Sequence, residues 1–198
     1  MSIFPTTIKN ILITGGSGFI GGTLIRKLLV NTKLNIFNLD KLSYASDSLS
    51  IKRLENKIPS IRERYELLKV DLANPKETSR AIEYSNPDLV FHLAAESHVD
   101  RSILGPKVFI DSNIIGTYNL LESLLIHWEK LQIDRKNNFR MLHISTDEVF
   151  GSLEKEGLFS ESSPYDPKSP YSATKAASDH LVKAWHNTYG LPTLISNS

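Results

Sequence analysis

Cysteine is absent from the 198 residues of this sequence. Its absence excludes disulfides, zinc–thiolate sites, iron–sulfur clusters and thiol nucleophiles together. Long hydrophobic runs are absent too, since none approaches the roughly 20 residues that a helix needs to span a bilayer. The first five residues, MSIFP, form neither the basic nor the apolar region of a signal peptide. These absences predict a cytoplasmic protein with no membrane partner.

An excess of charge of one sign is lacking as well, because 23 Lys and Arg residues stand against 22 Asp and Glu residues. The net charge of +1 gives no electrostatic reason to expect nucleic acid as a partner. With 40% apolar residues, the chain is long enough to bury a substantial hydrophobic core. Its length predicts one domain over residues 1–198.

Short apolar runs alternate with helical patterns along the chain. Strands are predicted at residues 10–14, 34–39, 65–70, 89–93, 140–145 and 193–196. Helices are predicted at residues 19–30, 75–85, 107–128 and 171–189, and Asn74-Pro75 supplies an N-cap and a first-turn proline for the second of them. This alternation implies parallel strands joined by right-handed crossovers. The predicted fold is therefore α/β, a doubly wound parallel-sheet Rossmann fold.

Three glycines lie between the first predicted strand and the first predicted helix. Gly15, Gly18 and Gly21 form a GxxGxxG pattern. Gly15 allows a tight turn, Gly18 lets a pyrophosphate approach the backbone, and Gly21 allows close packing of helix on sheet. The helix that starts at Phe19 and Ile20 would offer its first N–H groups to phosphates. The pattern predicts a dinucleotide site, with a glycine-rich turn of no binding function as the alternative.

Two acids end the second and third predicted strands. Asp40 follows Gly21 by 19 residues (40 − 21), where an acid accepts hydrogen bonds from the adenosine ribose and repels a 2′-phosphate. This position predicts NAD rather than NADP, although the neighbouring Lys41 would soften the repulsion. A solvent-facing turn acid is the alternative for Asp40. Asp71, followed by Leu72, fits either a contact to adenine or a cap of the next turn.

Tyr171 and Lys175 share one face of the last predicted helix because they are four residues apart. Lys175 can bind the nicotinamide ribose and lower the pKa of the Tyr171 phenol from its usual value of about 10. The phenol would then act as a base near neutral pH. The alternative is a surface pair without a function, and the glycine turn upstream argues for the functional interpretation.

With both motifs in place, the chain resembles the extended short-chain dehydrogenase/reductase family, whose members act mostly on nucleotide sugars. The resemblance covers essentially the whole chain and is carried by residues 15–22, 38–45, 92–102, 146–151 and 170–179. The segments HLAAESHVDRS and TDEVFG are its most specific parts, and they resemble the dTDP-glucose 4,6-dehydratase branch. The resemblance implies NAD as cofactor, dTDP-glucose as substrate and a homodimer formed through the two long predicted helices.

Thr146, Asp147 and Glu148 follow the fifth predicted strand. An epimerase that only oxidises and re-reduces C4 needs no paired carboxylates there. A 4,6-dehydratase needs them, because one group removes the C5 proton while another protonates the departing C6 hydroxyl. The resemblance implies that Asp147 is this acid and Glu148 this base, and that Thr146 and Tyr171 handle the C4 hydroxyl. Two solvated turn acids are the alternative.

The resemblance implies further site residues around the same cleft. Ala94, Ala95 and Glu96 would line the cofactor and sugar cleft, Ser97 and Asn197 would contact the substrate, and Asn113 would organise the site. Three more residues of the matching segment are His98, Asp100 and Arg101. They belong either to the site or to a polar network that only anchors a loop. The remaining histidines have no metal-ligand spacing, so we predict no metal site.

Members of this family continue for well over a hundred residues past the point that matches Ser198, and those residues build most of the lobe that grips the nucleotide. We therefore expect that lobe to be largely absent here. Three hypotheses remain: a dTDP-glucose 4,6-dehydratase, another nucleotide-sugar epimerase, dehydratase or decarboxylase, and a non-catalytic NAD-binding module. The nucleotide base stays open, as does the choice between core and interface for apolar residues on the long helices.

Overall fold

The computed structural model describes residues 4–47, 49–153 and 157–198. Within them, six parallel strands form one sheet in the order β3-β2-β1-β4-β5-β6. The strands are β1 (Asn10–Thr14), β2 (Asn35–Asp40), β3 (Tyr65–Lys69), β4 (Leu89–His92), β5 (Arg140–Ile144) and β6 (Thr193–Ser196). Each strand lies within one residue of its predicted bounds, and the strand order confirms the doubly wound Rossmann fold.

Helices cover both faces of the sheet. They are α1 (Phe19–Asn31), α2 (Leu49–Lys57), α3 (Pro75–Ser85), α4 (Val99–Leu104), α5 (Pro106–Phe109), α6 (Gly116–Glu129), α7 (Ile133–Asn138) and α8 (Pro170–Tyr189). The short helices α2, α4 and α7 were not predicted. Their apolar periodicity is weak, since α2 buries only Ile51 and α7 buries no residue. No helix in the described part of the chain is long and apolar enough to cross a membrane.

The two faces of the sheet carry two separate hydrophobic cores. Alternate residues of β1 point to opposite faces, so Ile11 and Ile13 pack beneath α1 and α2 while Leu12 packs beneath α3, α6 and α8. Trp128 and Trp185 are partly buried against the second of these cores. These two side chains therefore contribute to the packing of the domain itself.

The helix ends follow local chemistry that the sequence partly revealed. The side chain of Asn74 accepts hydrogen bonds from the backbone N–H groups of Lys76 and Glu77, which confirms the predicted N-cap of α3. Helix α8 starts with a capping box between Ser169 and Ser172, and this box fixes where the helix begins.

The prediction of one continuous α-helix over residues 107–128 is wrong. Between α5 and α6 the backbone widens into a π-helical segment, Ile110–Ile115. Within it, the side chain of Asn113 is buried and hydrogen-bonds the backbone of Glu96 and the hydroxyl of Thr174. These tertiary hydrogen bonds provide the partners of the buried amide, and π-turns of this kind are frequent at functional sites.

A buried carboxylate connects two strands at the amino edge of the sheet, where the strands begin. Asp88 precedes β4 and accepts hydrogen bonds from the backbone N–H groups of Lys9 and Asn10 at 2.7 and 2.9 Å. Its other oxygen pairs with the Arg135 guanidinium at 2.6 Å, and Arg135 also donates to the Asn86 carbonyl. This cluster ties the start of β1 to the start of β4 and to α7.

Candidate active site

A cleft of about 450 Å³ opens at the carboxyl edge of the sheet. The chain leaves β1 toward β2 on one side and returns to β4 on the other, so the crossovers diverge there and leave a crevice. The cleft is lined by every residue predicted to bind the cofactor: Gly15, Gly18, Phe19, Ile20, Gly21, Asp40, Lys41, Asp71, Leu72, Ala94, Ala95, Tyr171 and Lys175. Of the predicted substrate contacts, Glu96, Ser97 and Thr146 also line it.

The glycine turn has the backbone geometry that its sequence predicts. Gly15 has φ = +70°, and a Cβ built on it would lie 2.7 Å from the Cα of Ala94. A Cβ on Gly21 would overlap the Gly15 carbonyl oxygen. Gly16, which the glycine pattern does not single out, is required as well, because a Cβ there would overlap the Asn38 side chain beneath the turn. That requirement depends on β2, so the glycine spacing alone carried no signal for it.

Helix α1 begins at this turn with no side chain capping it. Gly18 occupies the N-cap position, and the first helical side chain, Phe19, is 91% exposed. The first-turn N–H groups therefore stand free of side-chain acceptors at the positive end of the helix dipole. An anionic group such as a pyrophosphate fits this end of the cleft.

Asp40 is only 8% exposed, so the solvent-facing alternative for this acid is wrong. One carboxylate oxygen accepts the Ser17 backbone N–H at 2.9 Å. The other accepts the Leu42 backbone N–H at 2.7 Å and the Ser46 hydroxyl at 3.3 Å. A carboxylate offers about four acceptor positions, so room for one further donor remains.

Two contacts join the loop after β2 to the segment after β4. The Lys41 ammonium lies 2.9 Å from a carboxylate oxygen of the buried Glu96. The Arg101 guanidinium stacks 3.7 Å from the centre of the Tyr44 ring. For Arg101 this contact matches the loop-anchoring interpretation.

For Asp71 the structure shows the turn cap, and the contact to adenine stays a prediction. Its carboxylate accepts the Ala73 backbone N–H at 2.9 Å, so it does cap the next turn. The residue is nevertheless exposed and lines the cleft beside Leu72, which is buried.

Helix α8 places Tyr171 and Lys175 on the cleft wall, where both side chains are buried. Burial raises the pKa of Tyr171 above its usual value, the Thr146 hydroxyl acts against this, and the charges of Glu148 and Asp147 add to it. Burial outweighs the effect of Thr146 on this pKa, and its lowering by Lys175 together with the positive nicotinamide ring of a cofactor stays a prediction. Lys175 donates to the Ile144 carbonyl at 2.7 Å.

Asp147 and Glu148 lie at the rim of the cleft, outside the residues that line it. They begin a 3₁₀ turn, Asp147–Phe150, whose N-cap is the Thr146 hydroxyl and whose anchor is the buried Val149. Both carboxylates are exposed. Burial first, and then the charge of Asp147, raise the pKa of Glu148. A higher pKa makes the Glu148 carboxylate a stronger proton acceptor, which is the direction that a general base requires.

The remaining predicted residues lie close by. Asn197 donates its side-chain amide to the Thr146 carbonyl at 3.1 Å, which places it beside the end of β5 but outside the cleft lining. His98 and Asp100 are exposed. No group of histidines and acids within the described residues could hold a metal ion.

His92, at the end of β4, is buried behind the glycine turn. Its Nε2 lies 2.9 Å from the Thr117 hydroxyl, which already donates to the Asn113 carbonyl. The imidazole must therefore donate from Nε2 and accept the Thr14 hydroxyl at Nδ1, 2.7 Å away. Burial, followed by the proximity of His143 and Lys175, holds the pKa of His92 well below its usual value, so the ring is neutral.

Comparison with known proteins places this geometry in context. A model of the family described as GDP-mannose 4,6 dehydratase matches residues 12–198. A dTDP-glucose 4,6-dehydratase of Haemophilus influenzae is 52% identical over 192 residues, which cover 96% of this chain and 55% of that protein. A dTDP-glucose 4,6-dehydratase of Salmonella typhimurium is 50% identical over 196 residues, which cover 94% of this chain and 53% of that protein. The chain thus spans about half the length of the curated relatives it matches.

Solved structures with the same fold include members with two activities. DesIV of Streptomyces venezuelae, a dTDP-glucose 4,6-dehydratase with NAD and dTDP bound, has a TM-score of 0.80 and 36% identity, covering 94% of this chain and 54% of that one. The UDP-glucose 4-epimerase of Thermus thermophilus, in complex with NAD, has a TM-score of 0.78 and 27% identity, covering 93% of this chain and 53% of that one.

Proposed function

The chain belongs to the family described as GDP-mannose 4,6 dehydratase, and from this premise we propose that it provides the NAD-binding and catalytic part of a dTDP-glucose 4,6-dehydratase. The reaction oxidises C4 of dTDP-glucose, eliminates water across C5–C6 and reduces C6, which yields dTDP-4-keto-6-deoxyglucose. The observation that carries the proposal is the Thr146-Asp147-Glu148 turn beside Tyr171 and Lys175 at one end of the cleft. The two dTDP-glucose 4,6-dehydratases that are 52% and 50% identical in sequence to this chain support it.

The cleft supports NAD as the cofactor. The glycine turn leaves no room for a side chain at Gly15 or Gly21, and the uncapped start of α1 offers N–H groups to a pyrophosphate. Asp40 has an acceptor position left for a ribose hydroxyl, with Lys41 beside it. When bound, NAD supplies the hydride acceptor for C4 and the hydride donor for C6. Further residues proposed to hold it are Gly18, Phe19, Ile20, Asp71, Leu72, Ala94 and Ala95.

The proposed chemistry divides among the side chains at the end of β5 and the start of α8. Thr146 and Tyr171, which hydrogen-bond each other, hold the C4 hydroxyl, and Tyr171 takes its proton. Lys175 binds the nicotinamide ribose beside them. Asp147 protonates the departing C6 hydroxyl and Glu148 removes the C5 proton, while Glu96, Ser97 and Asn197 contact the sugar nucleotide. The raised pKa of Glu148 strengthens its carboxylate as the acceptor of the C5 proton.

Mass spectrometry of the nucleotide sugar tests the proposal. The chain is incubated with NAD and dTDP-glucose, and we expect a product lighter by one water. A product of unchanged mass that separates from dTDP-glucose on chromatography would instead identify an epimerase, and loss of carbon dioxide from a nucleotide-linked hexuronic acid, offered in place of dTDP-glucose, would identify a decarboxylase. The matched control is Asp147→Asn with Glu148→Gln, two near-isosteric changes at exposed positions that should stop water loss without unfolding the chain.

A thermal melt with NAD separates binding from turnover. We expect NAD to raise the Tm of the chain, because a ligand that binds only the folded state stabilises it. Stabilisation by NAD with no change in the sugar, even at high substrate concentration, would refute the enzymatic proposal and favour a non-catalytic NAD-binding module.

The single Rossmann domain over residues 1–198, the cytoplasmic location and the homodimer stay predictions. The homodimer is supported by apolar side chains that α4, the π-helical segment and α6 leave exposed: Ile103, Leu104, Ile110, Ile115, Tyr118 and Ile126. Light scattering across a concentration series tests it, with a monomer at all concentrations as the contrary result.

A further inference from the structure

A buried polar cluster lies behind the cleft wall, between α8 and the ends of β4 and β5. It contains four titratable side chains, each no more than 5% exposed: Lys175, Asp179, His143 and His92. Only Lys175 reaches the cleft lining. The other three have no place in the proposed reaction, so their burial here needs a separate explanation.

The side chain of Lys175 is buried apart from its contact with the cleft, and its ammonium has one neutral hydrogen-bond acceptor, the Ile144 carbonyl. A charged group in such a place is unstable without an opposite charge. Burial lowers the pKa of Lys175 to about 8, and Asp179 is the group whose charge acts against that decrease. Asp179 lies one helical turn further along α8, on the same face.

Three side chains from two other parts of the fold hold the Asp179 carboxylate in place. The Ser145 hydroxyl donates to Oδ2 at 2.7 Å and the Tyr165 hydroxyl donates to the same oxygen at 3.1 Å. The Nε2 atom of His143 lies 3.1 Å from Oδ1. The carboxylate is therefore fixed to the end of β5 and to the loop that precedes α8.

His143 leaves the negative charge of Asp179 intact. The Ser178 hydroxyl donates to the Lys175 carbonyl, so Nε2 of His143 faces two acceptors and must carry the imidazole proton. Burial, and then the charge on Lys175, lower the pKa of His143 to about 4, and the ring is neutral at pH 7. Burial raises the pKa of Asp179, but the contacts with His143 and Ser145 and the charge of Lys175 together outweigh it and lower the pKa. His92, on β4, is neutral as well.

We propose that Asp179 is a positioning residue of the site, whose fixed carboxylate keeps the buried Lys175 ammonium charged so that it can hold a ribose hydroxyl in the cleft. The role of Lys175 toward the ribose rests on the proposed function, whereas the coupling of the two charges does not. Asp88 provides the contrast within the same fold. It is equally buried, but it receives two backbone N–H groups and a guanidinium at the opposite edge of the sheet.

The test is an NMR titration of the Lys175 side chain in the chain labelled with ¹³C at lysine Cε, the signal being assigned from its loss in Lys175→Arg. In the wild type we expect a midpoint at about 8. In Asp179→Asn, which keeps the shape of the side chain and removes its charge, the midpoint should fall by about one unit or more. Asp179→Glu should restore most of the difference. Asp88→Asn, the matched control, should destabilise the chain and leave the Lys175 midpoint unchanged.

A Lys175 midpoint in folded Asp179→Asn equal to that of the wild type would overturn the proposal. So would an equal shift in Asp88→Asn, since that would make the effect one of general destabilisation. If Asp179→Asn does not fold, the reciprocal titration decides, because coupling between two sites is mutual. In Lys175→Met the ¹³Cγ signal of Asp179 should titrate at a higher pH than in the wild type, and an unchanged midpoint refutes the coupling.

Binding of NAD then tests the link to the cleft separately. In Asp179→Asn the affinity for NAD should be about tenfold weaker at pH 8 than at pH 6, because only the lower pH keeps Lys175 charged in this variant. If the Lys175 midpoint shifts but NAD does not bind the wild type either, the proposed function fails and the charge coupling stands.

Discussion

The polar groups at the two edges of the sheet differ in how completely they are hydrogen-bonded. At the amino edge, the Asp88 carboxylate is saturated by two backbone N–H groups and Arg135. At the carboxyl edge, α1 starts without a cap, the Asp147 and Glu148 carboxylates stay exposed, and Lys175 is buried with a neutral acceptor. Groups that satisfy one another stabilise the fold, whereas groups left with spare bonding capacity at the diverging crossovers are available to a ligand.

Removing the carboxylate at the amino edge should have the largest effect on stability. Asp88→Ala removes the anion that pairs with Arg135 and the acceptor of two backbone N–H groups. We therefore expect a loss of about 4 kcal/mol in the free energy of unfolding. Urea denaturation measures it. Asp134→Ala, an exposed acid one residue from Arg135, should change stability by no more than about 0.5 kcal/mol. A similar loss in both variants would remove the contrast between the two edges.

A methyl group in the glycine turn should affect both stability and binding. Gly15→Ala places a side chain at φ = +70° and against the Ala94 backbone, which we expect to cost about 2 kcal/mol and to abolish the increase in Tm caused by NAD. Gly105→Ala is the control, since the added Cβ would approach only the Arg101 carbonyl at 3.9 Å. Retained NAD stabilisation in Gly15→Ala would show that the turn does not contact the cofactor.

Low pH should reduce the free energy of unfolding, because buried neutral histidines lie near the carboxyl edge of the sheet. His143 is neutral in the folded chain down to about pH 4, whereas an unfolded histidine takes up a proton near 6.5. The unfolded state therefore binds more protons below 6.5, and stability decreases as the pH falls from 6.5 toward 4 by about 1.4 kcal/mol per pH unit for each such histidine. His92 adds to this decrease in the same direction. Urea denaturation at a series of pH values measures the slope.

The decrease should be shallower in His143→Gln and unchanged in the control His180→Gln, because His180 is exposed. A pH-independent stability between 6.5 and 4 would contradict the neutral, buried assignment of His143.

Tyr171→Phe should have the smallest effect on stability and a large effect on turnover. The variant removes one hydroxyl that hydrogen-bonds Thr146, so we expect a change of no more than about 1 kcal/mol in the free energy of unfolding. Loss of the proposed base should reduce loss of water from dTDP-glucose on the order of 100-fold or more. Unimpaired turnover in this variant would exclude the phenol as the base.

Local patterns revealed much of this molecule because they depend on neighbours in the chain. The strands, the N-cap at Asn74 and the tight turn at Gly15 follow from residue size, backbone freedom and side-chain hydrogen bonds over a few residues. The same reasoning did not single out Gly16, whose constraint comes from Asn38 on a different strand. It also missed the π-turn at Asn113, whose partners are Glu96 and Thr174.

The sequence by itself determined the parallel doubly wound sheet and the position of the cleft, because hydrophobic periodicity and strand ends are local properties that a Rossmann topology combines in one way. Only the tertiary structure decided the electrostatics. It placed Asp179, His143 and His92 around Lys175, raised the pKa of Tyr171 and saturated Asp88 at the far edge. Burial and charge–charge distances depend on residues far apart in the chain, and no short pattern carries them.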